Sequence, residues 1–545
     1  MPLRAPRRGT TLMLAVAGGL LTDAGFPGLG WWPLTYLGIA LLFLALARDS
    51  ARWNMLVGTA FGLAFFLPHI PWVETSVGMV PWVGLSGVEA LIVGLVGAAW
   101  AWARRGAVIW RSATLQAPVF AVLFVGGEEL RQVAPFGGFP WGRLAFSQAD
   151  SPLARWAWAG GVPAVSWLVV VIGVALALGL VALRRLDIGT ASGCALLSLL
   201  VVVSGLLLPL DTAAQAGRLV VGAVQGDVPD RGLDSFNQQR EVLDNHVAGT
   251  LALADTVARS GSPLDVVLWP ENGSDIDPRV DAAAATAVTG AAQAVKAPIL
   301  VGTLEYPSTG GRLNISLLWD PQRGPVDSYA KQHPAPFAEY IPIRDFARHF
   351  SDAVDLVTTD MIPGTKVGVI RLDSPRLGRV VPLGDVICFE VAYDDLVRDT
   401  VQAGAEMIVV QTNNATFGRS AESTQQLAMS RLRAIEHGRA TVQISTVGVS
   451  AVISPSGLVR QQTELFTAEQ MIATLPLRTE LTPATRFGDA IAWSLRALAV
   501  ACTVAGMAGA YRVRRGDRVV AAGASPAQRK PSSRRAAPRE RSAVR

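Results

Sequence analysis

Three side chains in this 545-residue chain combine a nucleophile, a base and a cation. Cys388 closes the apolar run Gly384-Asp-Val-Ile-Cys388, and no other cysteine falls in the polar stretch 219–478. Glu271 ends Trp269-Pro-Glu271, and Lys331 sits in Tyr329-Ala-Lys-Gln-His333. A thiolate attacks a carbonyl to form a thioester, while a carboxylate takes the thiol proton and returns one to the leaving group. An ammonium held against the tetrahedral oxyanion stabilises the charge that develops there. Thioesters are readily attacked by amines, so the set reads as acyl transfer. Lysine usage singles out Lys331: Lys and Arg together number 48, and only Lys296, Lys331, Lys366 and Lys530 are lysines. Where arginine supplies nearly every generic positive charge, a retained lysine marks a need for a compact donor whose pKa responds to its surroundings.

Each candidate stands where a strand ends and a loop begins, so that a rigid backbone holds a side chain that projects freely. Short β-branched runs at Leu219-Val-Val-Gly-Ala-Val, Val266-Val-Leu-Trp, Ile299-Leu-Val-Gly, Ile315-Ser-Leu-Leu-Trp, Val380-Val-Pro-Leu, Met407-Ile-Val-Val and Thr441-Val-Gln-Ile predict strands. Ala- and Leu-rich segments near 237–259, 279–295 and 420–438 predict helices between them. That alternation predicts an α/β domain with buried sheets over 219–478.

The rest of the chain has a different solvent. Half of all residues are hydrophobic and the mean hydropathy is +0.35, too oily for one ordinary soluble domain. Candidate spans fall at 10–22, 31–47, 53–68, 78–103, 112–127, 161–183, 188–209 and 488–511, about eight in all. The predicted order is a bundle over 1–209, a catalytic domain over 219–478, a last span over 488–511 and a basic tail over 512–545. Arg4, Arg7 and Arg8, then Arg48 and Arg52, then Arg104, Arg105 and Arg111, then Arg184 and Arg185 load every second loop. The positive-inside rule therefore places both termini in the cytoplasm and the α/β domain outside the plasma membrane. Span one reads as retained rather than cleaved, because further spans follow it. In the outer compartment a lone thiol is a reactive group rather than half of a disulfide. Cys194 and Cys502 fall inside apolar runs, as small buried thiols do. The net charge of +5 comes largely from the tail, which suits anionic lipid and not nucleic acid. His69, His246, His333, His349 and His437 lack metal-ligand spacing, and no phosphate-binding loop occurs, so neither metal nor cofactor is expected. Glu89 and Arg496, costly in hydrocarbon, are expected to face the bundle interior, and Glu128 with Arg131 to form an ordinary surface pair.

Taken together, Gly138-Phe-Pro-Trp141, Ser147-Gln148, Val224-Gln-Gly226, Trp269-Pro-Glu271, Pro336-Phe337, Glu339-Tyr340, the pair Cys388 and Glu390, the run Arg431 to Arg439, and Gly448 with Ser450 resemble the nitrilase superfamily. Within it, the membrane frame resembles the apolipoprotein N-acyltransferases. The resemblance implies a bundle of about eight transmembrane helices bearing an extracytoplasmic nitrilase-like αββα sandwich. It implies Glu271, Lys331 and Cys388 as catalytic residues, with Glu339, Glu390, Phe389 and Tyr340 supporting the site. Substrate binding is expected from Phe236, Trp269, Phe417 and Trp141. The implied reaction takes a fatty acyl chain from a phospholipid to the α-amine of a lipoprotein's N-terminal S-diacylglyceryl cysteine. Some such proteins carry a polyprenol-phosphate mannosyltransferase domain, which makes the basic tail a candidate contact for a separate enzyme of that kind.

The chain also departs from the family pattern. Asn413-Asn414-Ala-Thr416-Phe-Gly418 lacks an acid and an indole usual there, Phe389 replaces a usual Tyr, and Phe236 stands in for a Trp. Two other functions fit the same residues: a membrane-bound amidase or lipid deacylase that transfers to water, and a scaffold with a degenerate nitrilase domain.

Overall fold

The computed structural model describes residues 6–105, 109, 112–228, 239–261, 263–350 and 352–523. Phe236 and the basic tail beyond residue 523 lie outside them. A helix occupies each of the eight apolar ranges: α1 (Arg8–Ala24), α2 (Pro33–Ala45), α3 (Ala51–His69), α5 (Met79–Arg104), α6 (Ala113–Arg131), α7 (Ala157–Leu183), α8 (Ile188–Ser204) and α13 (Pro483–Gly523). The short α4 (Trp72–Val77) was not foreseen. Four helical stretches are long and apolar enough to cross a membrane by length and composition, namely Met79–Arg104, Pro152–Leu183, Ile188–Leu207 and Pro483–Tyr511.

Small residues set the closest packing in the bundle. A Cβ on Gly58, Gly62 or Gly97 would stand 2.4–2.6 Å from backbone atoms of Val93, Ala90 or Asn54, so α3 and α5 touch backbone to backbone. Apolar packing between helices gains little in lipid, and such close van der Waals contact is the usual substitute. The turns bearing Arg48 and Arg104 meet at one end of the bundle. There Arg104 donates to the Arg48 carbonyl at 2.6 Å and Arg105 pairs with Asp49 at 2.7 Å. The opposite end carries His69, Trp72 and Arg143 and meets the α/β domain.

That domain holds two six-stranded sheets. The first has β1 (Arg218–Gln225), β2 (Val266–Leu268), β3 (Ile299–Glu305), β4 (Leu313–Asp320), β5 (Gly324–Ala330) and β12 (Glu469–Pro476), in the order β12-β1-β2-β3-β4-β5. The second has β6 (Val369–Ser374), β7 (Arg379–Ile387), β8 (Met407–Thr412), β9 (Thr441–Ser445), β10 (Ala451–Ile453) and β11 (Val459–Gln462), in the order β11-β10-β9-β8-β7-β6. The inner strands β1-β2-β3 and β7-β8-β9 pair in parallel, and β2, β8 and β9 are buried along their length. Full burial on both faces is why they read as continuous apolar runs. The inner faces share one core through Val221, Leu268, Leu300, Leu383, Val409 and Ile444. Helices α9 (Gln239–Ser260) and α10 (Ala282–Val295) cover the first sheet.

The second sheet is covered by α11 (Asp394–Gln402) and α12 (Glu422–His437), and this layer merges with the bundle. A single apolar cluster runs from Phe43 and Val169 to Val386, Leu396, Val410 and Leu432. Charge crosses the same seam. Arg143, fully buried, donates to Asp394 Oδ2 at 2.6 Å and to Glu129 Oε1 at 2.9 Å. Arg433 reaches Asp394 Oδ1 at 2.8 Å, pairs with Glu436, and donates to the carbonyls of Val391 and Ala392 at 2.9 Å each. Arg496 meets Glu129 Oε2 at 3.0 Å. Glu128 and Arg131 are not a surface pair: both are buried, Arg131 pairs with Glu89, and Glu128 accepts the Leu144 N–H at 2.7 Å. Helical spacing placed them together, but stronger partners on other segments take each one.

Candidate active site

The loop after β2 presents Glu271. Gly302 of β3 lies so close that a Cβ there would stand 2.3 Å from the Pro270 carbonyl and 2.8 Å from the Glu271 Cα. The Glu271 carboxylate is held from both sides. Its Oε1 accepts from Asn314 Nδ2 at 2.6 Å and Lys331 Nζ at 3.1 Å, and its Oε2 from the Asn413 N–H at 2.9 Å.

Lys331 follows β5 directly and is 1% exposed. Its Nζ also meets Glu339 Oε1 at 2.7 Å. Burial alone would push the ammonium down, but the charges of Glu271 and Glu339 outweigh it and hold the pKa well above its ordinary value. Glu339 is anchored in turn by the Ala335 N–H at 2.6 Å. Lys331 therefore stays charged, between two carboxylates, in a place where water does not screen it.

Cys388 is the first residue after β7 and takes φ +52°, a left-handed conformation that costs a non-glycine residue of order 1 kcal/mol or more. The chain turns there into a short 3-10 helix, Cys388–Ala392, and the thiol is aimed off the end of the sheet. The same logic of a sharp strand-to-helix turn exposes nucleophiles in other hydrolytic folds. Glu390 holds the turn. It accepts from Tyr329 OH at 2.9 Å, the Gln332 N–H at 2.6 Å, the His333 N–H at 3.1 Å and the Ile387 N–H at 2.8 Å. Buried away from the cavity, Glu390 ties the cysteine turn to the lysine loop. Thr412 Oγ1 stands 3.3 Å and Gln426 Nε2 3.8 Å from the sulfur. Burial first, then the Glu271 charge, push the thiol up, and Lys331 pulls it back only in part. At rest the group is a thiol, and a neighbouring base is needed to ionise it.

Glu271, Lys331, Glu339, Cys388 and Phe389 line one cavity of about 830 Å³. Its far wall is apolar helix: Val77 of the short α4, and Val80, Leu85 and Val88 of α5. Between the two walls stands a group of aromatic rings. Phe389 stacks on Trp141 at 6.2 Å and on Phe139 at 5.6 Å, and Trp72 meets Trp141 at 5.2 Å and Phe417 at 5.1 Å. Trp141 donates its indole N–H to Gln425 at 2.7 Å.

Glu271, Lys331, Cys388, Glu339, Phe389, Phe417 and Trp141 thus come together. Of the other expected residues, Glu390 holds the turn from behind, Phe236 lies outside the described residues, and Trp269 and Tyr340 stand apart. Trp269, just after β2, is fully buried and donates to Thr250 Oγ1 at 2.9 Å, outside the cavity lining. The Tyr340 hydroxyl reaches the Phe136 carbonyl at 3.2 Å, outside the cavity lining. Asn314, Thr412, Glu422, Gln426 and Trp72 were missed; only Thr412, closing the Met407 run, carried a strand-end signal.

A family model for the apolipoprotein N-acyltransferase N-terminal domain matches residues 18–175, and one for carbon-nitrogen hydrolase matches residues 231–482. The apolipoprotein N-acyltransferase of Mycolicibacterium smegmatis is 38% identical over 513 residues, which cover 89% of this chain and 83% of that one. The protein of the same name from Geobacter metallireducens is 28% identical over 524 residues, 92% of this chain and 96% of that one. Among solved structures, Saccharomyces cerevisiae Nit3, a member of the nitrilase superfamily, aligns with a TM-score of 0.36 at 17% identity over 48% of this chain and 93% of that one. Two facing sheets with a carbon-nitrogen hydrolase match, joined to long apolar helices, define a membrane enzyme of nitrilase type. More narrowly, the chain belongs to the apolipoprotein N-acyltransferase family, and its chemistry is N-acylation.

Proposed function

We propose that the protein moves a fatty acyl chain from a membrane phospholipid onto Cys388, and then to the α-amino group of the S-diacylglyceryl cysteine at a lipoprotein's N-terminus. Glu271 takes the Cys388 proton as sulfur attacks the ester, and the same proton leaves with the lysophospholipid. The tetrahedral oxyanion is met by Lys331 and by backbone N–H groups of the cysteine turn. The acceptor amine then attacks the thioester, sulfur departs and is reprotonated, and an amide remains. Glu339 and Glu390 act as positioning residues, on the lysine and on the cysteine turn.

The observation that carries this reading is the shared cavity: one wall holds the reacting side chains and the other is apolar helix. Two lipid substrates can keep their tails in hydrocarbon while their polar ends reach the thiol. The meeting of the Arg48 and Arg104 turns, with arginine in every second loop of the sequence, supports eight spans with cytoplasmic termini and an extracytoplasmic domain over 219–478. The basic tail is assigned to contact with a polyprenol-phosphate mannosyltransferase, which deletion of residues 513–545 tests by co-purification.

The test is intact-mass detection of an acyl adduct on the purified protein after exposure to phosphatidylethanolamine vesicles, with Cys388→Ala as the control. Adduct on the wild type alone, discharged by a diacylglyceryl-cysteine peptide with N-acyl product, is the expected result. Fatty acid released at the same rate with and without peptide would instead make the protein a deacylase.

A further inference from the structure

Amide formation from an ammonium releases a proton that the Glu271 cycle does not absorb. In the second half of the reaction Glu271 can take one proton from the attacking nitrogen and hand it to the departing sulfur. An α-amine arrives with a pKa of about 8, hence mostly as an ammonium near neutral pH, and must first lose another proton. A second base beside the thioester would remove that proton in place, so that the prevalent ammonium form could serve as the acceptor.

Beyond Glu271 and Glu339 the cavity lining carries the carboxyls of Glu89, Asp275 and Glu422, and of these Glu422 is the one linked by hydrogen bonds to the cysteine's neighbours. Glu422, the first residue of α12, lines the cavity with Cys388, Asn413, Thr416 and Phe417 and is otherwise buried. Its Oε2 accepts from Asn414 Nδ2 at 2.6 Å. The same Nδ2 reaches Gln426 Oε1 at 3.1 Å, and Gln426 Nε2 approaches the Cys388 sulfur. Asn414 is fixed by Ser445, whose hydroxyl donates to its Oδ1 at 2.5 Å. Position 414 is where an acid was expected and an amide stands. The amide hands its N–H to a carboxylate eight residues on, so the acid has moved rather than vanished.

We propose that Glu422 is the catalytic base for the incoming amine: it receives the acceptor's ammonium beside the Cys388 thioester and removes its extra proton before attack. This rests on the acyl-enzyme reading above. Glu422 takes the proton from nitrogen, the free amine forms the C–N bond as the C–S bond breaks, and Glu422 later releases the proton to water. Glu271 and Lys331 remain free for the proton and charge of the tetrahedral step. The surroundings suit the task. Among the described residues no lysine, arginine or histidine pairs with Glu422, and the titratable groups facing it are Glu271 and Cys388, with Lys331 and Glu339 behind them. Burial first, tempered by the Asn414 hydrogen bond and reinforced by the Glu271 charge, raises its pKa to about 8, a match for the amine it serves.

The experiment separates the two halves of the reaction. Full-length wild type and Glu422→Gln are loaded from phosphatidylethanolamine vesicles, and adduct formation is followed by mass. A diacylglyceryl-cysteine peptide is then added between pH 6 and 9, and loss of the adduct is timed. The expected result is adduct formation within about threefold of wild type, with transfer slowed ~100-fold at pH 6.5. The deficit should stay near that size up to about pH 8, because the Glu422 carboxylate and the free amine gain population together, and shrink about tenfold per pH unit above it. A deficit of equal size at every pH would mark a purely structural role and overturn the proposal, as would transfer at the wild-type rate. Loss of adduct formation in Glu422→Gln alone would move the residue to the first half and overturn it too. Absence of adduct on the wild type would instead remove the acyl-enzyme reading beneath it.

Discussion

Arg143 donates to Asp394 at 2.6 Å, and this contact joins the loop after α6 to the first residue of the helix that follows the Cys388 turn. Asp394 also accepts from Arg433, which holds the carbonyls of Val391 and Ala392 in the turn itself. The bundle is thereby braced against the segment that carries the nucleophile. Removing one member of a buried charge group leaves the others unpaired, at a cost of about 3–5 kcal/mol. Asp394→Asn is expected to lower the thermal midpoint of the detergent-solubilised protein sharply. Arg143→Met with Asp394→Leu should recover part of that loss, because Glu129 keeps Arg496 and Arg433 keeps Glu436 while the Arg143 charge is no longer left without its main partner.

Lys331→Met is expected to lower the rate of adduct formation by about 10²–10³-fold, the usual cost of losing an oxyanion donor. Lys331→Arg should rescue little of it. A planar fork does not fit the point position 3.1 Å from Glu271 and 2.7 Å from Glu339. Equal activity of the arginine variant would show that charge alone suffices.

Gly302→Ala tests the placement of Glu271 without touching a reacting group. The added methyl has no room against the Pro270 carbonyl and the Glu271 Cα, so the loop must shift. Misplacement by about 1 Å is enough for a loss of order 10²-fold. Circular dichroism and gel filtration should stay like wild type while adduct formation falls.

Asp385 gives the stability a pH dependence. Burial between the sheets, with the Glu390 charge adding to it, raises its pKa from 3.8 to about 7. The folded state then binds more protons than the unfolded chain between about pH 4 and pH 7, so stability falls as pH rises through that window. Asp385→Asn removes this slope. Its thermal midpoint should gain on wild type from pH 5 to pH 7 and hold a constant lead above, on the order of 2–4 kcal/mol. A gap that does not change with pH would contradict the assignment.

The parts legible in the sequence were those with local signals. Runs such as Val266-Val-Leu and Met407-Ile-Val-Val announced central strands because both faces are buried. Edge-side strands escaped. In β5 and β12 exposed and buried positions mix, so Gly324-Pro-Val-Asp-Ser-Tyr-Ala reads as a turn. Glu271, Lys331 and Cys388 were legible because each follows a strand. Trp269 was expected at the substrate from the resemblance alone, yet the fold buries it and pairs its indole with Thr250. The seam was invisible for another reason. Arg143 finds its partner 251 residues along the chain, and no spacing rule spans that distance. Glu422 opens an ordinary helix, and only the fold brings it to Asn414 and the cavity wall.

The merged apolar and ionic seam means that neither half of the chain is a self-sufficient part. A fragment beginning after residue 211 would keep Glu271, Lys331 and Cys388 but would open Phe389, Leu396 and Leu432 to water and strand Asp394 and Arg433 without Arg143. Half of the reaction chamber would be missing, since α4 and α5 supply its other side. Ligand screening against this enzyme therefore calls for the intact polypeptide in a lipid-like environment, where compounds with a greasy arm and a carbonyl-seeking head have a complete chamber to occupy.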